Sequence, residues 1–142
     1  MLFESGDLAM AELGPDWRWP HFSMAELSCH CAGRFCRGEY WHDPAFLDRL
    51  EAMRADIGKP LIINSAHRCR QWNACVGGAP LSRHKTLAAD IALAGHDRFI
   101  LRRAAQQAGF SGFGLARSFI HIDCRPVPAI WFYKGSRSLW QK

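Results

Sequence analysis

The chain has 142 residues, of which 49% are hydrophobic, and a formal net charge of +5. This length suits one compact domain and excludes a second full domain. No apolar run approaches the ~20 residues of a membrane-spanning helix, and the chain begins with acidic residues where a secretory signal would carry lysine or arginine. We therefore expect a soluble monomer made in the cytoplasm without a signal peptide. The positive charge suits an anionic partner, but no basic run or basic-aromatic stripe supports a nucleic-acid surface.

The residues before the first predicted helix show no regular spacing of apolar side chains. Residues 1–20 are interpreted as an N-terminal arm, with Trp17 and Trp19 folding back on a single domain over residues 21–142. Helical spacing of apolar residues starts after Asp43, a good N-cap residue, and ends at Gly58. These signals predict a helix over 44–57.

Three short apolar runs rich in branched residues predict strands over 60–64, 88–93 and 118–124. A helix is expected over 97–108, because Gly109 is a typical stop. The loop over 65–86 is longer than most connections in a compact domain, and such loops are usually functional. The aromatic residues of the tail are expected to pack on the body.

Three cysteines, Cys29, Cys31 and Cys36, lie within eight residues of one another. Thiolates and imidazoles are the usual ligands of structural zinc, so His30 or a cysteine from elsewhere could complete a zinc site. The spacing differs from the usual paired CxxC motifs. Buried or free thiols are therefore an equally good interpretation.

The side chains that carry chemistry lie on the last two predicted strands and in the loop before them. Alternation puts Asp90 on a strand face with small neighbours, and puts His121 and Asp123 on one face of the following strand. His84 lies in the loop that enters the first of these strands. Two histidines and an aspartate are a set that a catalytic zinc uses, with a further position open to water.

The motifs around these residues resemble the M15 family of zinc peptidases, in the order that the family shows. They lie at 65–69, Asn73, 76–79, 82–84, 89–91 and 121–123. The resemblance is closest to the small phage and prophage branch. It implies an α+β fold in which a small antiparallel sheet is flanked by helices, as in D-alanyl-D-alanine peptidases and the hedgehog domain. It also implies one zinc ion, bound by His84, Asp90 and His121.

The resemblance assigns further roles and shows two departures. Arg68 matches an arginine that approaches substrate, and it is expected to act in catalysis by stabilising, together with zinc, the charge that develops on the attacked carbonyl. Ser82 matches a serine that bonds to substrate or steadies the loop. The family pattern Ser-x-His-x-x-Gly-x-Ala-x-Asp is one residue shorter here, with Leu87 near the glycine position. The acid that often precedes the last zinc histidine is replaced by Ser118.

Because a serine cannot accept a proton as a carboxylate can, Asp123 is expected to be the catalytic base. Two alternatives are that Asp123 fixes the tautomer of His121 and that it replaces His121 as the metal ligand.

The leading hypothesis is a zinc peptidase that hydrolyses an amide bond in peptidoglycan stem or cross-link peptides, as a D,D- or L,D-carboxypeptidase or an endopeptidase. We expect it to reach the wall after release, or by delivery on a phage or tail-like particle. One alternative is a catalytically weakened relative that binds wall or a phage structural partner. Another makes the cysteine cluster a zinc module for nucleic acid, whose affinity would fall steeply with salt.

Overall fold

The computed structural model describes residues 1–141, and five α-helices occur in this part of the chain. They are α1 (Gly6–Leu13), α2 (Met24–Leu27), α3 (Pro44–Ile57), α4 (Arg70–Cys75) and α5 (Arg98–Gln107). The signals at the ends of α3 act as predicted. The Asp43 side chain accepts a hydrogen bond from the Phe46 N–H, and Gly58 ends the helix with a φ of 74°. None of the described helices is both long and apolar enough to cross a membrane.

Seven strands form a two-stranded and a five-stranded sheet in the described residues. They are β1 (Leu2–Phe3), β2 (Tyr40–Trp41), β3 (Ile63–Ser65), β4 (Ala89–Ala92), β5 (Gly112–Leu115), β6 (Phe119–Asp123) and β7 (Ala129–Phe132). The larger sheet has the order β3-β4-β6-β5-β7. Its pairs are antiparallel except for β5 and β7, which run parallel. The predicted α+β class is confirmed, with a mixed rather than wholly antiparallel main sheet.

Side-chain alternation divides the main sheet into an apolar and a polar face. Ile91, Ile120 and Ile122 are fully buried in the core cluster. The apolar residues of α3 and α5 belong to the same cluster and are also buried: Phe46, Leu47, Leu50, Met53, Leu101, Ala104 and Ala105. The intervening residues of β4 and β6, including Asp90 and His121, face the opposite side. The sheet thus places the polar residues of β4 and β6 on the face that points away from the core.

The first 20 residues are not a structureless arm. β1 pairs with β2, and α1 is capped by the Ser5 side chain. Phe3, Ala9 and Trp19 are buried in the core cluster, so Trp19 does pack on the body as expected. The sequence gives little sign of this because α1 is short and β1 finds its partner some 40 residues away, at Tyr40 and Trp41. The division of the chain at residue 20 itself stays a prediction.

Other sequence-based expectations also differ from the structure. The strand predicted over 60–64 is shifted to Ile63–Ser65. The loop predicted over 65–86 contains the helix α4. The strands β5 and β7 were not predicted. Glycine is depleted in strands, so the Gly112–Leu115 segment carries a weak strand signal. The parallel partner of β5 comes from the tail, and nothing local in the tail indicates that pairing.

Candidate metal centre

Two neighbouring strands and one turn bring together three side chains of metal-ligand type. Asp90 on β4 pairs directly with His121 on β6. His84 belongs to a short 3-10 turn, Arg83–Lys85. Nε2 of His84 and Nδ1 of His121 each lie 3.0 Å from Oδ1 of Asp90, and they lie 3.1 Å from each other. The three predicted ligands therefore form one cluster.

The outer ring nitrogens of the two histidines define their tautomers. Nδ1 of His84 lies 2.6 Å from the carbonyl oxygen of Ala66, and Nε2 of His121 lies 2.7 Å from Oδ2 of Asp123. A backbone carbonyl and an ionised carboxylate only accept hydrogen bonds, so these two nitrogens donate. In neutral rings the inner nitrogens then carry lone pairs, and both face Oδ1 of Asp90.

Three acceptor atoms that face one another need a positive charge between them. Two imidazole nitrogens and one carboxylate oxygen are the ligand set of many catalytic zinc sites. All three side chains are buried, with 3%, 7% and 3% of His84, Asp90 and His121 exposed. The residues present therefore fit a zinc ion.

The pKa shifts within the cluster show how its buried carboxylate is stabilised. Burial by itself raises the pKa of Asp90, but hydrogen bonds with His121 and His84 outweigh it and hold that pKa well below its ordinary value. Burial lowers the pKa of His121, while its contacts with Asp123 and Asp90 raise it, with a net rise. Asp90 is therefore an ionised carboxylate at neutral pH.

The shortened motif does not separate the ligands. Leu87, near the position where the family has glycine, is buried in the hydrophobic core. The backbone N–H of Arg68 donates to the carbonyl of His84 at 2.6 Å, and the His84 N–H donates to Oγ of Ser82 at 3.2 Å. The first bond holds the turn against the segment that follows β3, the second caps the turn, and His84 reaches Asp90 over the shorter connection.

Asp123 lies behind His121 rather than on the open side of the cluster. Its carboxylate is fully buried and receives hydrogen bonds from His121 and from the Arg125 backbone and side chain. Burial raises the pKa of Asp123, but Arg125 and His121 outweigh it and lower that pKa. This geometry argues against Asp123 as the base and against its replacing His121 as ligand. It favours the alternative in which Asp123 fixes the His121 tautomer.

Arg68 and Ser82 both line the cleft above the cluster. The Arg68 guanidinium donates to Ser65 Oγ at 3.1 Å and to Asn73 Oδ1 at 3.3 Å, and lies 3.4 Å from Oδ2 of Asp90. The guanidinium is thus fixed beside the ligand set, with its charge at the cleft. The Ser82 hydroxyl accepts a hydrogen bond from the His84 N–H, which stabilises the turn.

The cleft has a volume of about 710 Å³, which is within the usual range for small-molecule sites. Three of its lining residues were missed by the sequence analysis: Arg125, Trp131 and Tyr133. The Arg125 guanidinium lies 4.5 Å from the centre of the Trp131 ring, and its Nη2 lies 2.6 Å from Asp123. Only Arg125, two residues after Asp123, could have been suspected from its position. The two aromatic residues reach the cleft through the pairing of β7 with β5.

The motif at 76–79 forms part of the cleft wall. The Asn73 amide donates to the carbonyl of Ala79 at 3.0 Å, and the Gly78 N–H donates to the carbonyl of Asn73 at 2.8 Å. A Cβ atom on Gly78 would collide with the Asn73 side chain. Glycine is therefore required here by close packing, and Asn73 links this wall to Arg68.

A family model described as peptidase M15 matches residues 20–123, well over half of the chain. The chain belongs to the peptidase M15 family. Membership implies peptidase activity, and the family consists of zinc peptidases. A search among curated proteins found no significant match.

The extent of the match divides the site of this M15 peptidase into two parts. The matched residues include Arg68 and all three ligands, and the match ends at Asp123. Arg125, Trp131 and Tyr133 lie beyond it. The candidate metal ligands therefore lie within the matched segment, while the cleft wall formed by β7 lies outside it.

Proposed function

We propose that this protein is a zinc-dependent peptidase that hydrolyses an amide bond in peptidoglycan stem or cross-link peptides. The observation that carries the proposal is the convergence of His84 Nε2, Asp90 Oδ1 and His121 Nδ1 in an open cleft. A zinc ion held by these atoms would lower the pKa of a bound water and polarise the carbonyl of the attacked amide.

The protein's own residues orient this centre and the peptide. Ala66 and Asp123 fix the two histidine tautomers, and Arg68 holds the outer oxygen of Asp90. Arg68 and Arg125 line the same cleft. A fixed guanidinium pairs well with carboxylates and peptide carbonyls, and wall stem peptides carry free carboxylates. The two arginines thus support a substrate of this chemistry.

Tyr133 supplies a neutral hydrogen-bond donor to the cleft. Burial raises the pKa of its phenol, and the negative charge of Asp90 adds to the rise. At neutral pH the hydroxyl therefore keeps its proton. A donor of this kind can stabilise the negative charge that develops on the oxygen of the attacked carbonyl.

One observation favours a second candidate, a fold relative that binds wall peptides without turnover. Among the cleft-lining residues that the structure describes, Asp90 is the only carboxylate, and it belongs to the ligand set. The cleft lining thus offers no separate carboxylate as a base.

Digestion of purified peptidoglycan tests the proposal. The zinc-loaded protein should release peptide fragments or single amino acids, and mass spectrometry of the products should identify the bond. The matched control is His121→Ala, which should lose the zinc ion of the histidine centre and release nothing. A binder would instead sediment with the wall and leave it intact. That result with a fully zinc-loaded protein would contradict the enzymatic proposal.

The proposal extends to how the enzyme meets its substrate. We place its action at the cell wall, after release or delivery by a phage or tail-like particle. The net charge of +5 supports attraction to an anionic wall. Lysis of intact cells by protein added from outside, with reduced binding at high salt, is the expected behaviour.

A further inference from the structure

A second cluster of metal-ligand type lies outside the site described above. The Sγ atoms of Cys29, Cys31, Cys36 and Cys69 all lie within 4.8 Å of one another. Three of these cysteines come from the loop after α2. The other, Cys69, is the N-cap of α4 and lies 40 residues from Cys29 in sequence.

Backbone N–H groups point at three of the four sulfur atoms. Cys29 Sγ accepts from the N–H of Cys69 at 3.3 Å, Cys36 Sγ accepts from Glu39 at 3.4 Å, and Cys69 Sγ accepts from Trp72 at 3.4 Å. Such donors stabilise negative charge on sulfur. The loop turns through positive φ values at Ala32, Gly33 and Gly38, which folds its three cysteines towards one point.

The sulfur spacing suits a metal ion. A tetrahedron with zinc–sulfur bonds of ~2.3 Å has sulfurs roughly 3.8 Å apart. The Cys31 and Cys36 sulfurs lie 3.5 Å apart, and all four cysteines are free thiols in this structure. Cys31 and Cys69 are each only 1% exposed, so the cluster is closed to solvent on most sides.

We propose that Cys29, Cys31, Cys36 and Cys69 bind one structural zinc ion, separate from the centre formed by His84, Asp90 and His121. Four thiolates fill the tetrahedral coordination of zinc and leave no position for water, which is the pattern of a structural site. His30, considered from sequence as the remaining ligand, is instead exposed, with Nε2 3.0 Å from the carbonyl oxygen of Glu26.

This site ties the loop after α2 to the segment that serves the cleft. Cys69 directly follows Arg68, whose backbone N–H holds the turn of His84. Glu39 makes a second link, because its N–H donates to Cys36 and its carboxylate bonds to His67 Nε2 at 2.8 Å. The structural zinc would therefore position Arg68 and the turn of His84 through the backbone.

Metal analysis of the purified full chain tests this proposal without depending on peptidase activity. The parent should hold two zinc ions, and the double variant His84→Ala/His121→Ala should keep one. Cys69→Ser should lose one ion and unfold at a lower temperature. The matched control is Cys75→Ser, an exposed cysteine outside the cluster, which should keep both.

Two measurements on protein that keeps all of its cysteines cover the case in which Cys69→Ser fails to fold. Cobalt loaded into the histidine double variant should give thiolate-to-cobalt charge-transfer absorption. Alkylation under denaturing, non-reducing conditions with chelator should modify all six cysteines. A histidine double variant that folds but holds no metal would overturn the proposal, as would fewer than six alkylated thiols, which indicates a disulfide.

Discussion

At the scale of single residues, the chemistry depends on which atom of each side chain faces the cluster. His121 presents Nδ1 to Asp90 and gives Nε2 to Asp123. His84 does the reverse, with Nε2 facing Asp90 and Nδ1 bonded to Ala66. A carboxylate or carbonyl behind each ring fixes the nitrogen that is free to bind a metal. In this geometry Asp123 contacts the ring nitrogen of His121 that faces away from the cluster.

We expect Asp123→Asn to loosen the metal rather than to abolish the chemistry. Loss of a partner behind a metal-binding histidine typically costs ~10 to 100-fold in metal affinity or activity. Turnover of peptidoglycan should therefore fall at limiting zinc and return close to the parent rate when zinc is in excess. A zinc titration of turnover measures this, with the exposed Asp56→Asn as control.

The opposite outcome would restore Asp123 as the base. In that case turnover should fall by ~100 to 10,000-fold and stay low at every zinc concentration, because general-base catalysis contributes a factor of that size. The zinc content of the variant, measured in the same samples, separates the two results.

At the scale of secondary-structure elements, β5 shows why glycine is needed in a strand. Gly112 pairs with Asp123, and Gly114 pairs with His121 on one side and with Trp131 on the other. A Cβ atom on Gly112 would collide with the Asp123 carboxylate and with the Arg125 side chain. On Gly114 it would lie 2.8 Å from Trp131 Nε1. Because glycine has no side chain, Gly112 leaves room for Asp123 and Arg125, and Gly114 leaves room for Trp131.

Gly112→Ala should therefore weaken the metal centre through the Asp123–Arg125 pair. Added volume in a packed site typically costs ~1–3 kcal/mol in the free energy of unfolding. We expect a loss of that size together with weaker zinc binding at the histidine centre, measured by urea unfolding and by competition with a chelator. Gly6→Ala is the control, because its Cβ would meet only ordinary contacts at 3.6 Å. Unchanged stability and zinc affinity in Gly112→Ala would contradict this view of β5.

At the scale of the whole molecule, the N-terminal residues belong to the core. Phe3 is 6% exposed and Trp19 is 4% exposed, and the Trp19 indole donates to Asp48 on α3 at 2.9 Å. The N-terminal ammonium also donates to the carbonyl of His42 at 2.8 Å. The segment before the family match thus packs against β2 and α3.

Phe3→Ala should destabilise the protein by about 3 kcal/mol, since truncating a buried phenylalanine typically costs ~3–5 kcal/mol. Leu2→Ala is the matched control on the same strand, where the leucine is 46% exposed and its loss should change stability by less than ~0.5 kcal/mol. Urea unfolding of both variants measures the difference. Equal, small effects would show that the first residues behave as an arm after all.

Local sequence patterns determined the elements whose signals lie within a few residues of each other. The cap at Asp43, the spacing of apolar residues and the stop at Gly58 specify α3, because a helix is stabilised by contacts three and four residues apart. Alternation likewise predicted the strand faces on which Asp90 and His121 lie, since successive side chains of a strand point to opposite faces. The set of His84, Asp90 and His121 followed from that alternation together with the family motifs.

Only the tertiary structure decided the features that join distant segments. The remaining cysteine of the cluster, the pairing of β1 with β2 and the aromatic wall from β7 depend on residues brought together from far along the chain. The contact between Asp123 and His121 is of the same kind. The position of Asp123 two residues after His121 puts it on the correct face, but the choice between base and positioning residue depends on which imidazole nitrogen it contacts. That contact is set by the rotation of the His121 ring between Asp90 and Asp123, which no local pattern encodes.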